Sequence, residues 1–245
     1  MAINIYQNPI FLNSVTHKSV RVAPVTNFKF ARQLNSVLIV GQEFLEAAKF
    51  YPVVFTKSEG GEIVPVAILG LRNNENLFVD KEGKWKEGTY IPAYFRRYPF
   101  ILASNVGQDG SFAVCVDSLY EGFGAKKGMR LFDDDGNQTP EFKNTIEFLR
   151  NFQAQYENTK NLVRILEEYN LFKAVSANIT LPAGEKIGFG GLMMVDEEAM
   201  FKLEDEKIIH LFRFGYLAWI YAHLYSLSNF RPLMAMADKT EGIKG

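Results

Sequence analysis

Residues 140–169 carry the longest regular pattern in the chain, and the pattern is helical. Phe142, Ile146, Leu149, Phe152, Tyr156, Val163 and Leu166 recur at helical spacing, which lines them along one face. Thr139-Pro140-Glu141 reads as the start: threonine as cap, proline at the first helical position, an acid in the first turn. The polar run 157–160 interrupts the stripe and predicts a break into two helices. An apolar stripe must be buried against another layer, and the preceding residues supply strands for it.

Residues 53–56 and 63–71 are apolar runs joined through Ser58-Glu59-Gly60-Gly61, which predicts a hairpin. Pro65 is expected at an edge or a bulge. Residues 76–80 (NLFVD) and 112–117 (FAVCVD) read as further strands, with shorter ones at 21–25 and 37–40. A helix over 41–50 ends at Tyr51-Pro52, because a residue before proline is pushed out of helical geometry.

Beyond the long pattern, 175–181 and 187–195 predict a second hairpin around Pro182-Ala183-Gly184. Asp196 caps a short helix. A last helix over 205–226 is apolar nearly all round and therefore buried. The tail after Asp238 reads as frayed. The fold class is α+β. A β-rich part over 1–138 packs with a part over 139–245 made of two long helices and a hairpin, together one compact unit.

Charge narrows the function. Twenty-seven basic residues face twenty-eight acidic ones, for a net charge of −1. That argues against a nucleic-acid binder, whose affinity rests on a basic face. The single cysteine, Cys115, lies among apolar neighbours and reads as a buried strand thiol. The N-terminal segment lacks a basic region followed by an apolar core, so no secretory signal is read there. The most apolar stretch, 214–227, is too short to span a bilayer. The expected location is the cytoplasm, or the cell surface by a route that uses no signal peptide.

Catalytic and cofactor motifs are sparse. His210 and His223 stand thirteen apart, too far to chelate together, and no HExxH or paired-cysteine pattern occurs. GFGG at 188–191 lies in a strand-like run and does not match a dinucleotide loop. No Walker A loop or GxSxG elbow is present. The acidic turn 133–137 misses calcium-loop spacing, because Gln138 stands where the glycine belongs. No cofactor or metal is expected, and whether the chain catalyses a reaction is left open.

The chemistry concentrates in 89–102, TYIPAYFRRYPFIL, where Arg96 and Arg97 sit between Pro92 and Pro99 in an aromatic run. An extended segment would point the two arginines to opposite faces. Arginine's planar fork suits carboxylate or phosphate and tolerates aromatic faces. Tyr90, Tyr94 and Tyr98 recur at spacing four. The candidate ligand-binding residues are Tyr94, Arg96, Arg97, Tyr98 and His223. The competing reading ties the arginines to a loop such as 133–135 by ion pairs. His223, near Ser226 and Asn229, is either a core histidine or a site residue.

The runs FYPVVF, VAILGLRNNENLFVD, GKW, YIPAYFRRYPF, LFDDDGNQTP and YAHLYSLSNFRPL resemble the bacterial SapC-like family. The similarity extends over about residues 28–233, and Arg-Arg-Tyr-Pro-Phe is its most specific block. This family is distinct from the similarly named permease of peptide transporters. Its name comes from a member associated with a paracrystalline surface layer, and the resemblance supplies no catalytic residues. It implies a surface-layer or other cell-surface protein as partner, and the first reading of the chain is a non-enzymatic binding or assembly factor. The Arg/aromatic segment would grip a peptide or anionic ligand. The alternative is an enzyme or small-molecule binder with Arg96, Arg97, Tyr98 and His223 in one pocket.

Overall fold

The computed structural model describes residues 5–103, 112–180 and 184–241. Along the chain, β1 (Pro9–Phe11), β2 (Arg21–Val22) and β3 (Ser36–Leu38) precede helix α1 (Phe44–Ala47). The first hairpin is β4 (Val53–Lys57) and β5 (Ile63–Ile68). Then come α2 (Ala93–Arg96), β6 (Phe100–Ala103), β7 (Ala113–Asp117) and β8 (Met129–Arg130). The long helix α3 (Pro140–Glu168) leads to the second hairpin, β9 (Phe172–Thr180) and β10 (Lys186–Val195). Helices α4 (Glu197–Met200), α5 (Asp205–Arg213), α6 (Tyr216–Ser226) and α7 (Phe230–Glu241) complete it. The fold is α+β.

The elements form two compact units, each discontinuous in sequence. One holds residues 29–92 and 155–245, the other 4–28 and 93–154. The expected division at 138 follows chain order, whereas compactness follows this other line. Among the described residues, the first unit has one five-stranded sheet in the order β3-β5-β4-β10-β9. Its strand pairings among the described residues are antiparallel, with Phe55 opposite Pro65 and Met193 opposite Phe55. Pro65 lies past the last β3–β5 pair, Leu38 with Val66, so its missing N–H interrupts no ladder on that side. The second unit has β1-β7-β6 and the pair β2-β8. Phe100, Phe132 and Phe142 pack together at its centre.

Several expectations are corrected. Residues 76–80 form no strand: only Val79 bridges to Trp85. The side chain of Asn76 is buried and occupied by backbone, donating to the Ala31 carbonyl at 3.0 Å and accepting from Phe78 N–H at 2.9 Å. Helix α3 does not break at 157–160. Lys160 pairs with Glu157 at 2.6 Å, and the buried Thr159 hydroxyl donates to the Gln155 carbonyl while accepting from Gly41 N–H at 2.8 Å. The expected last helix breaks instead at Gly215, whose φ of 74° is left-handed. The tail after Asp238 continues as α7 to Glu241. The predicted turn at 182–184 includes Pro182 and Ala183, which lie outside the described residues.

Gly70 shows how tightly one loop is held. A Cβ there would lie 2.1 Å from the Glu75 carbonyl oxygen. The Glu75 carboxylate in turn accepts from the N–H groups of Leu71 and Arg72. Gly70→Ala is expected to lower stability by about 2 kcal/mol. Urea unfolding measures this, and a loss below about 0.5 kcal/mol would show that the loop yields freely.

Candidate functional site

The segment 89–102 folds differently from an extended strand. Pro92 precedes α2 and Pro99 follows it, leaving room for one helical turn. The Tyr98–Pro99 peptide is cis, and β6 begins directly after it. The two arginines therefore do not face opposite ways. The Arg96 guanidinium lies 5.3 Å from the Phe148 ring, and that of Arg97 lies 4.7 Å from Phe152. Phe148 and Phe152 are four residues apart on α3, so both arginines meet one face of that helix.

Arg97 is the more enclosed of the two. Its guanidinium lies 4.2 Å from the Tyr94 ring and 5.7 Å from Tyr6, in addition to Phe152. Its Nε is buried and has no hydrogen-bond partner among the described residues. No salt bridge to Arg97 occurs among them either, yet the residue is only partly buried. Three aromatic rings surround the cation. The carboxylates of Asp133 and Asp134, in the loop expected to tie the arginines, have other partners among the described residues. Asp134 pairs with Arg130, and the Asp133 carboxylate accepts from the N–H groups of Asp135 and Asn137.

The ring network continues inward. Tyr6 stands 5.7 Å from Tyr98, and Tyr98 stands 5.4 Å edge-on to Tyr120. The Tyr98 hydroxyl points at the Asp117 carboxylate at 3.4 Å. Asp117 is fully buried and accepts from the backbone N–H groups of Gln7, Asn8 and Leu119. Burial raises the Tyr98 phenol pKa, and the Asp117 charge adds to that. Burial also raises that of Tyr6, against the lowering effect of Arg97. Both phenols stay protonated and donate: Tyr6 bonds the Phe100 carbonyl at 2.8 Å.

Sequence reading missed Tyr6, Phe152 and Asp117. The first two look like ordinary core aromatics. Asp117 had a signal, an aspartate closing an apolar strand, which needs partners when buried.

His223 belongs to the other unit and is fully buried. Its Nδ1–H donates to the Val53 carbonyl at 2.7 Å, and its Nε2 accepts from Val195 N–H at 3.0 Å. Because a carbonyl only accepts, these bonds require the neutral tautomer with the proton on Nδ1. Ser226 accepts from Val53 N–H at 2.8 Å, and the Asn229 amide donates to the carbonyls of Ala48 and Tyr51. His223 and Ser226 on α6 and Asn229 just beyond it thus hold backbone. The structure gathers Tyr94, Arg96, Arg97 and Tyr98 in one unit and engages both His223 ring nitrogens in the other.

Elsewhere in the first unit, a cleft of about 1080 Å³ is lined by Arg32, Arg72, Phe78, Trp85 and Lys86 among others. None of the sequence-predicted site residues lines it. Among the described residues no group of three or more His, Cys, Asp or Glu is placed to hold a metal. No helix among them is long and apolar enough to cross a membrane.

A family model described as SapC matches residues 12–233. The chain belongs to the SapC family. No curated protein and no solved structure matches it. The SapC match covers the whole arginine segment, together with Asp117 and Phe152, while Tyr6 precedes it.

Burial pushes the His223 imidazole down from 6.5 to about 4, against the raising effect of its bond to Val53. Between those values the unfolded chain takes up a proton that the native chain does not. Stability therefore falls as pH drops through this window, by about 3 kcal/mol in all, and this contribution is constant above it. His223→Leu should cost about 2–4 kcal/mol at pH 7 by orphaning Val195 N–H. Urea unfolding at pH 7 and about 4.5 should show the gap between the two proteins narrowing at the lower pH.

Proposed function

We propose that this SapC-family chain is a non-enzymatic binding or assembly factor that grips an acidic group through Arg97. The observation that carries this reading is a guanidinium set against three aromatic rings, with no ion-pair partner among the described residues. Each ring contributes about 0.5–2 kcal/mol to holding a cation. The rings also restrict the fork's motion, so less entropy is lost when an anion binds.

A guanidinium that stays charged offers no nucleophile and no proton that titrates near neutral pH, which supports binding over catalysis. It matches a carboxylate or phosphate in two-pronged geometry. Arg96, over Phe148 on the same face of α3, adds a second positive charge. Tyr94 frames the fork, and Tyr98 sets the aromatic wall behind Tyr6. By the family resemblance, the acidic group belongs to a peptide of a surface-layer or other cell-surface protein.

Affinity capture from the native host tests this with wild-type chain, Arg96→Met and Arg97→Met. Methionine keeps the apolar stem and removes the charge. Arg97→Met should weaken capture of a surface protein at least about tenfold, the scale for losing one side of a charged pair. Arg96→Met should weaken it less, and raised salt should weaken wild-type capture. An unchanged partner list from folded Arg97→Met would remove the segment from the function.

A further inference from the structure

Helix α5 turns apolar side chains outward. Its inner side is accounted for: Leu211 is buried, His210 Nδ1 meets the Tyr169 hydroxyl at 2.8 Å, and Lys207 lies over the Tyr169 ring. On the outer side Asp205, Ile209 and Phe212 follow at steps of four and three, which places them on one stripe. Ile209 is 48% exposed and Phe212 71%. Phe214, edge-on to His210 at 4.9 Å, is 59% exposed. Phe214 sits with His210 and not on this stripe; at roughly 200 Å² for a whole large side chain, Ile209 and Phe212 leave about 240 Å² of apolar surface in water on the outer side. Neighbouring apolar side chains exposed on one helix face form the kind of surface another chain can cover.

We propose that this face is where two copies of the chain pair, antiparallel, about a two-fold axis passing by Ile209. The charges decide the occupant. Asp205 and Arg213 lie four residues on either side of Ile209 and have opposite signs. An antiparallel copy therefore brings each Asp205 against Arg213 of the other copy, twice, with Ile209 on Ile209 between them. That is the self-complementarity a two-fold interface requires. Each Phe212 falls beside the stem of the other copy's Glu206. An anionic lipid surface fits poorly, because Glu204, Asp205 and Glu206 start the helix. The net charge of −1 does not oppose association. The apolar area is under half of the roughly 800 Å² per partner of a standard interface, so the pairing is weak.

Sedimentation velocity of the full chain over about 5–200 µM tests it, a range that brackets weak association. Wild type should show a reversible monomer–dimer equilibrium. Asp205→Arg and Arg213→Asp should each weaken the dimer at least about tenfold by setting like charges together. The double variant restores opposite charges, so it should dimerise like wild type, which also shows that the single changes did not act by unfolding. A monomer across the whole range overturns the proposal. So does a dimer indifferent to the single reversals, or one lost in the double variant.

Discussion

An imidazole stands where a sheet hydrogen bond would otherwise be. The β4–β10 register pairs Thr56 with Leu192 and Phe55 with Met193, and continuing it two residues further sets Val53 opposite Val195. His223 enters there, taking the Val53 carbonyl on one ring nitrogen and Val195 N–H on the other. The ring spans a gap that the two strands no longer close by themselves. Phe55 packs edge-on to it at 5.1 Å, and Phe55 in turn meets Phe172 and Phe44. Ser226 takes the remaining polar group of Val53. Two side chains of α6 therefore fix how that helix sits on its sheet, and they do so with groups that would be costly to bury unpaired.

The second unit solves a related problem in the opposite way. There the charge of Asp117 is satisfied by backbone N–H groups, and the charge of Arg97 is held by rings. Nearby opposite charges have thus not been paired with each other. Had Asp117 neutralised Arg97, the fork would be a structural tie with nothing left for a ligand. Keeping the two apart, with tyrosines between, leaves the Arg97 charge with no carboxylate partner among the described residues.

The parts legible in the sequence were those set by short-range rules. Helix α3, both hairpins and the Asp196 cap follow from periodicity, turn residues and capping. The misses have long-range causes. Residues 76–80 have the composition of a strand, but Asn76 diverts the backbone to Ala31. The polar run 157–160 looked like a break because its partner, Gly41, lies 118 residues away. Gly215 was a local signal for a break, outweighed by the apolar run around it. The arginine segment was recognisable as special, yet its geometry depended on Pro92 and Pro99 enclosing one helical turn. Its ring partners carry no local signal, since Tyr6 and Phe152 stand far from Arg97 in the chain.

The interleaving of the two units has a consequence for synthesis. Strand β4 leaves the ribosome early, but the imidazole that completes its first residue follows 170 residues later. At roughly 5–20 residues per second, Val53 waits on the order of 10–30 s for that partner. The sheet order places β10 and β9 beside β4, so for the same interval that side of the hairpin lacks its native neighbours. A nascent SapC-family chain is thus exposed to misassembly for far longer than its finished structure suggests.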